Sequence, residues 1–238
     1  MNTLVLTAHG SRDPRSAANA EAVANRVMQI RPDLEVRLAF LELSQPNFID
    51  VLAGLPDTRQ AVVAPLLLAN AYHARVDIPR QIAGAKAHGT RQAGVLGEDD
   101  RLVSVLRERL GEVGVCPGDN DLGVVVAAIG SSNKAANART ATVVPRLAAG
   151  TRWAGAAMAF ATRPEASVAA AVAELRRRGA RRLVIAPWFL APGRITDGMS
   201  TYARDHDIPM AAPLGAHRLV AETVLERFDE AVATGVAA

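Results

Sequence analysis

The sequence predicts an α/β fold built as two similar halves, each a four-stranded parallel sheet flanked by helices. Three observations carry this expectation. Apolar, β-branched runs alternate with amphipathic segments along the whole chain, a stretch rich in Gly, Pro, Asn and Asp interrupts the alternation at residues 111–121, and the pattern then repeats. Strands separated by helices run parallel through right-handed crossovers, which makes each half a doubly wound sheet. Half of the 238 residues are apolar and only 4% are aromatic, so alanine, valine and leucine fill the core.

The elements follow in order. Thr3–Ala8 is an apolar strand. Ser16–Ile30 is a helix with Ala17, Ala20, Val23, Val27 and Ile30 along one face, and Arg31-Pro-Asp33 stops it. Glu35–Glu42 is the second strand, and Ser44 with Pro46 starts a helix running to about Gly54. Ala61–Leu68 is apolar enough to be a strand covered on both faces. A loop, Ala69–Val76, leads into a helix from Asp77 to about Lys86. Ala93–Leu96 is a short fourth strand and Asp99–Leu110 a helix. The expected domains are residues 1–113 and 122–238, joined by a linker at 114–121.

The second half repeats the first at an offset of about 120 residues, a fold-level duplication too long in period for a solenoid. Leu122–Ile129 followed by Gly130-Ser131 matches Leu4–His9 followed by Gly10-Ser11. Met158-Ala-Phe160 matches Leu38-Ala-Phe40, Ala186-Pro187 matches Ala64-Pro65, and Leu214-Gly215 matches Leu96-Gly97. The repeat is informative where it fails. His9 becomes Ile129, Glu42 becomes Thr162, and the loop Asn70–Asp77 with His73 becomes Pro192–Asp197, shorter by two residues and without histidine. All three ionisable groups disappear together, which points to one chemical site in the N-terminal half.

A flavodoxin-like strand order of 2-1-3-4 places His9, Glu42 and His73 at the carboxyl edge of neighbouring strands, where open parallel sheets bind ligands. Two imidazoles and a carboxylate suit a first-row divalent metal such as Fe²⁺, Co²⁺, Ni²⁺ or Zn²⁺. A structural zinc site has four protein ligands, so a looser set suits an ion that is handed on. Arg12 and Arg15 after His9, with Arg75 and Arg80 around His73, point to a substrate bearing several carboxylates, and Ser11 joins Arg12, Arg15 and Arg75 as expected substrate-binding residues. His88, His206 and His217 are expected at the surface.

Composition narrows the partners. The formal charge is +3, Lys86 and Lys134 are the only lysines, and no basic run is interleaved with aromatics, so nucleic acid is not expected. The cluster Arg176–Arg178 with Arg181 and Arg182 falls at a helix end, where cations complement the dipole. Cys116 is the single cysteine, which excludes an intramolecular disulfide and a cysteine-based metal site. The first strand begins at Thr3 and no apolar run is long enough to span a bilayer, so a cytoplasmic protein without membrane attachment is expected.

The segments His9-Gly-Ser-Arg-Asp-Pro-Arg15, Phe40-Leu-Glu-Leu43 with Pro46, and Pro65–Leu68 with Tyr72-His-Ala-Arg-Val-Asp-Ile-Pro79 resemble the sirohydrochlorin chelatase family of class II chelatases. The resemblance spans essentially the whole chain in its two-half form. It implies a chelatase-type fold and insertion of Fe²⁺ or Co²⁺ into sirohydrochlorin, for sirohaem or cobalamin synthesis. His9 and His73 would bind metal and accept protons, with Glu42 as the acidic residue of the same set. The metal would be a substrate, no cofactor would be permanently bound, and the protein would be a monomer or homodimer. Two rival readings are a metal or tetrapyrrole carrier with the same ligands and a histidine phosphatase. The latter's usual Arg-His-Gly order is missing, since Ala8 precedes His9.

Overall fold

The computed structural model describes residues 3–55, 60–85, 89–163, 165 and 167–236, so the predicted helix end at Lys86 and the surface assignment of His88 lie outside the described residues. The chain forms two compact units. The first comprises the segment up to Asp99 together with the segment from Ala216 onward, and the second comprises Asp100–Gly215.

In the first unit, β1 (Thr3–Ala8) is buried throughout and lies between β2 (Glu35–Phe40) and β3 (Ala61–Pro65), with β4 (Arg91–Gln92) beyond β3. All pairs are parallel and the order is 2-1-3-4, as the alternation of elements predicts. A strand covered on both faces needs apolar residues at successive positions, and Leu4, Val5 and Leu6 are fully buried. Helix α1 (Pro14–Ile30) begins at Pro14, whose missing N–H costs nothing in the first turn, and the Asp13 carboxylate accepts from the Arg15 N–H as its cap. Val23 and Val27 are buried on its apolar face, and the helix packs on β2. Helix α2 (Phe48–Ala53) is capped by Asn47 and buries Phe48 and Leu52 in a cluster with Val5, Ala39, Val63 and Ile78. A π-helical turn, His73–Asp77, runs directly into α3 (Ile78–Gly84).

Strand ends differ from the sequence expectation. β2 stops at Phe40 and β3 at Pro65, so Glu42 and Leu66–Leu68 lie in the loops beyond them. β4 pairs two residues before the expected Ala93–Leu96.

The second unit holds α4 (Asp100–Glu112), β5 (Leu122–Ala128), α5 (Lys134–Ala141), α6 (Val143–Ala148), β6 (Gly155–Phe160), α7 (Val168–Arg177), β7 (Arg182–Pro187) and α8 (Arg194–Asp205). Its sheet is three-stranded and parallel, in the order β6-β5-β7. The expected fourth strand is reduced to a single bridge between Ile185 and Met210. Pro209 and Pro213 flank that bridge and carry no N–H to extend a ladder.

The last helix, α9 (Arg218–Val236), belongs to the first unit, where it packs on α1 and β3. It buries Val220, Ala221, Val224 and Phe228, and Arg227 donates from Nη2 to Asp99 Oδ2 at 2.7 Å and from Nε to the Val95 carbonyl at 3.2 Å. Conversely α4, which precedes the linker, packs on α6 and β7 in the second unit and inserts Leu102, Val105, Leu106 and Leu110. The compact units therefore do not coincide with the continuous division at 114–121. The sequence repeat is continuous, while the helices that close each unit are exchanged.

Candidate active site

β1 delivers His9 and Gly10 at its carboxyl end, level with the residues that follow β2 and β3. The ladder continues past the strands: Leu41 N–H donates to the Ala8 carbonyl at 3.0 Å, Glu42 N–H to the His9 carbonyl at 3.1 Å, and Leu66 N–H to the Thr7 carbonyl at 2.8 Å. Gly10 makes this approach possible. Its φ is +92°, and a Cβ there would stand 1.7 Å from the Glu42 carbonyl oxygen. Side-chain bonds then lock the two loops together. Ser44 Oγ accepts from the Ser11 N–H at 3.1 Å and donates to the Ser11 carbonyl at 3.0 Å, and Ser11 Oγ accepts from the Asp13 N–H at 3.0 Å.

The structure brings His9, Glu42 and His73 together, as the strand order predicts. The His9 and His73 rings lie with centroids 4.2 Å apart, tilted by 41°. Each imidazole faces its own carboxylate: His9 Nε2 is 3.2 Å from Glu42 Oε1, and His73 Nδ1 is 3.1 Å from Asp77 Oδ2. Gln81 Nε2 donates to the other Asp77 oxygen at 3.1 Å. The Tyr72 ring stands edge-on to His73, with centroids 5.8 Å apart.

The environment assigns a protonation state to His9. Its Nδ1 is buried without a hydrogen-bond partner, so the proton of the neutral ring is better placed on Nε2, the nitrogen that faces Glu42. Protonating the ring would place a donor at that buried Nδ1. Burial accordingly holds the His9 pKa below its ordinary 6.5, and repulsion from His73 adds to this while Glu42 and Asp77 oppose it. For Asp77, burial works to raise the pKa, but hydrogen bonds from Gln81 and His73 and the nearby imidazoles outweigh it and leave it lowered.

Among the described residues no three His, Cys, Asp or Glu side chains converge as a metal cage. The expected ligand set His9, His73 and Glu42 is thus assembled but not preformed around one point, because the Glu42 carboxylate is turned onto His9 Nε2. The arginines divide. Arg12 is exposed on the loop after β1, Arg75 on the π-helical turn and Arg80 on α3. Arg15 instead forms a fork with Asp13, Nε to Oδ1 at 3.0 Å and Nη2 to Oδ2 at 2.5 Å, and serves the start of α1. Ser11 is occupied in joining the two loops.

Asp77 is the residue that sequence reasoning omits. With a loop expected up to Val76 and a helix only from Asp77, the four-residue spacing from His73 carries no meaning. The π-helical turn makes the pair neighbours. His206 is exposed as expected, stacked on Tyr202. His217 differs, being half-buried with Nδ1 accepting from the Leu219 N–H at the start of α9.

The corresponding strand ends of the second unit carry no imidazole. Ile129 is exposed there, and a cavity of about 370 Å³ is lined by Ser131, Ser132, Thr162, Arg163 and Glu165. No helix among the described residues is long and apolar enough to cross a membrane.

Comparison with known proteins agrees with this architecture. A sirohydrochlorin cobaltochelatase of Priestia megaterium is 26% identical over 97% of this chain and 80% of its own length. A shorter sirohydrochlorin cobaltochelatase, of Sulfurisphaera tokodaii, is 31% identical over 48% of this chain and 94% of its own length. The solved structure of SirB from Bacillus subtilis with Fe³⁺ superposes with a TM-score of 0.83 at 21% identity, covering 99% of this chain and 97% of that one, and so shares the fold. The family model described as CbiX matches residues 3–113 and again residues 123–231. The chain belongs to the CbiX family, with the family's unit present twice.

Proposed function

We propose that this chain is a sirohydrochlorin chelatase, a lyase-class enzyme that inserts Fe²⁺ or Co²⁺ into the tetrapyrrole sirohydrochlorin and releases two protons. The single observation that carries this reading is the pair of imidazoles at 4.2 Å on the carboxyl edge of the first sheet, each with a carboxylate beside it. Metal insertion needs soft-to-borderline nitrogen ligands that strip water from the ion and bases that take the two pyrrole protons. The relatives named as sirohydrochlorin chelatases and the family membership support the same reaction.

In this reading the metal is a substrate: His73 takes it first, and His9 joins through Nε2 once the ring proton has shifted from Nε2 to Nδ1. Glu42 stays an unprotonated carboxylate throughout and so can accept a pyrrole proton, and His73 shares the ion with His9. Two imidazoles hold a divalent ion loosely enough to release it to four pyrrole nitrogens. Arg12 and Arg75 receive the carboxylates of the tetrapyrrole, while Ser11 and Arg15 shape the loop that presents Arg12. The site lies in the N-terminal half, and the second half, with Ile129 and Thr162 at the matching positions, is scaffold. We place the reaction in the cytoplasm, without nucleic acid or a permanent cofactor, in a monomer or homodimer.

The test is the visible absorption of sirohydrochlorin on addition of Co²⁺ or Fe²⁺, with and without protein. Acceleration supports the chelatase; tight binding of either substrate with no acceleration makes the protein a carrier and overturns the proposal.

The pH profile offers a second check. A base whose pKa is lowered stays neutral, and able to bind metal, until the pH falls through that lowered value. The acid limb of kcat/KM for Co²⁺ is therefore expected at a pH below 6.5. Glu42→Gln removes a charge that favours His9 protonation and is expected to move the limb further to acid. A limb above 6.5, or one displaced to alkaline pH by Glu42→Gln, contradicts the assignment of His9. The same lowering makes its contribution to stability complete above 6.5 and lost as the pH falls through the folded-state value.

A further inference from the structure

We propose that Asp77 is the positioning residue of His73: it fixes the imidazole as the Nδ1–H tautomer and thereby presents Nε2 as the lone pair that meets the metal. This deepens the chelatase reading and rests on it for the identity of the ion.

The geometry around Asp77 has no other evident purpose. As the first residue before α3 it stands where a carboxylate ordinarily caps a helix, yet it makes no side-chain bond to the backbone of that helix. One oxygen instead accepts from His73 Nδ1 at 3.1 Å and the other accepts from Gln81 Nε2 at 3.1 Å. A carboxylate has no proton to give at neutral pH, so Nδ1 must be the donor and Nε2 the acceptor of the neutral ring. Gln81, one helical turn further on, restrains the carboxylate, and the chain His73–Asp77–Gln81 follows a single helical stripe at successive spacings of four residues.

The π-helical turn has a definite part in this. His73–Asp77 is wound as a π turn and Ile78–Gly84 as an α-helix, so Asp77 lies at the junction where one winding gives way to the other. There it holds a residue of the π turn with one oxygen and a residue of the α-helix with the other. The two histidines thus differ. Glu42 lies 3.2 Å from His9 Nε2, whereas Asp77 accepts from His73 Nδ1 and leaves Nε2 as the lone pair. His73 is therefore the ring ready for metal in the resting protein, and His9 becomes ready only when its proton leaves Nε2.

A partner that orients a ligating histidine typically contributes 10- to 100-fold in metal affinity or activity. Asp77→Ala is expected to raise the KM for Co²⁺ by about that factor with the KM for sirohydrochlorin unchanged. Asp77→Asn keeps an oxygen that accepts from Nδ1–H and is expected to restore much of the loss. The readout independent of activity is the two-bond ¹H–¹⁵N spectrum of the histidine rings in metal-free protein at neutral pH, with His73 identified by its loss in His73→Gln. Wild type is expected to show the Nδ1–H pattern, and Asp77→Ala a mixture of both tautomers. An Nε2–H pattern for His73 in wild type overturns the proposal even where Asp77→Ala does not fold, as does an unchanged pattern in a folded Asp77→Ala. Absence of insertion by wild type overturns the chelatase reading instead, and leaves the spectrum to decide on Asp77.

Discussion

Alanine at His9 or at His73 is expected to lower the rate of cobalt insertion into sirohydrochlorin by about 10²- to 10⁴-fold, the range associated with loss of a positioned acid–base group. In the proposed reading the two rings, with centroids 4.2 Å apart, share one ion, so their losses should not add: the double variant is expected to be little worse than either single one. Both positions are partly exposed and at the end of the sheet, so the variants should keep wild-type circular dichroism and thermal midpoints close to the parent. Ile129→Ala, at the matching place in the other half, is the control and should leave the rate unchanged. Near-parental rates in both histidine variants would remove the site from the first sheet altogether.

Gly10→Ala is expected to have the largest effect of any single methyl group in the chain. The added carbon would lie 1.7 Å from the Glu42 carbonyl oxygen and 2.9 Å from its carbonyl carbon, at a φ of +92° that side chains rarely adopt. Backbone, unlike a side-chain tip, cannot swing away, so the loops after β1 and β2 must part. Positive-φ strain and an overpacked contact together amount to about 3 kcal/mol, which lowers the calorimetric midpoint by several degrees. Insertion should fall as well, because Glu42 moves with its backbone. Gly130→Ala provides the internal comparison. Its φ is +84°, but the nearest atom is the Thr162 hydroxyl at 2.6 Å, which can rotate, so its cost should be visibly smaller. Equal midpoints for the two variants would refute the close-approach account.

Much of this is legible before any coordinates. An apolar strand ending in His-Gly-Ser, a period of about 120 residues and the loss of three ionisable groups in the second copy locate the sheet, its order and the edge where His9, Glu42 and His73 meet. Local pairing is harder to see. Asp77 becomes a partner of His73 because the backbone is already helical from His73, where periodicity suggests a loop up to Val76. Arg15 looks like a substrate ligand until its fork with Asp13, the cap of its own helix, is seen. The exchange of α4 and α9 is invisible for a different reason. An amphipathic stripe states that a helix covers an apolar surface, and nothing in Leu102, Val105 and Leu106 or in Val220 and Val224 names which sheet that surface belongs to.

That exchange sets an order of events during synthesis. Residues 100–215 form one unit that is made before the helix Arg218–Val236, whereas the unit bearing His9 and His73 waits for that helix to close it. Vectorial emergence from the ribosome therefore lets the later-encoded, histidine-poor unit mature first, while β3, which the closing helix packs on, waits for Arg218–Val236. The sheet edge that carries His9 and His73 is therefore closed only after the second unit has been made.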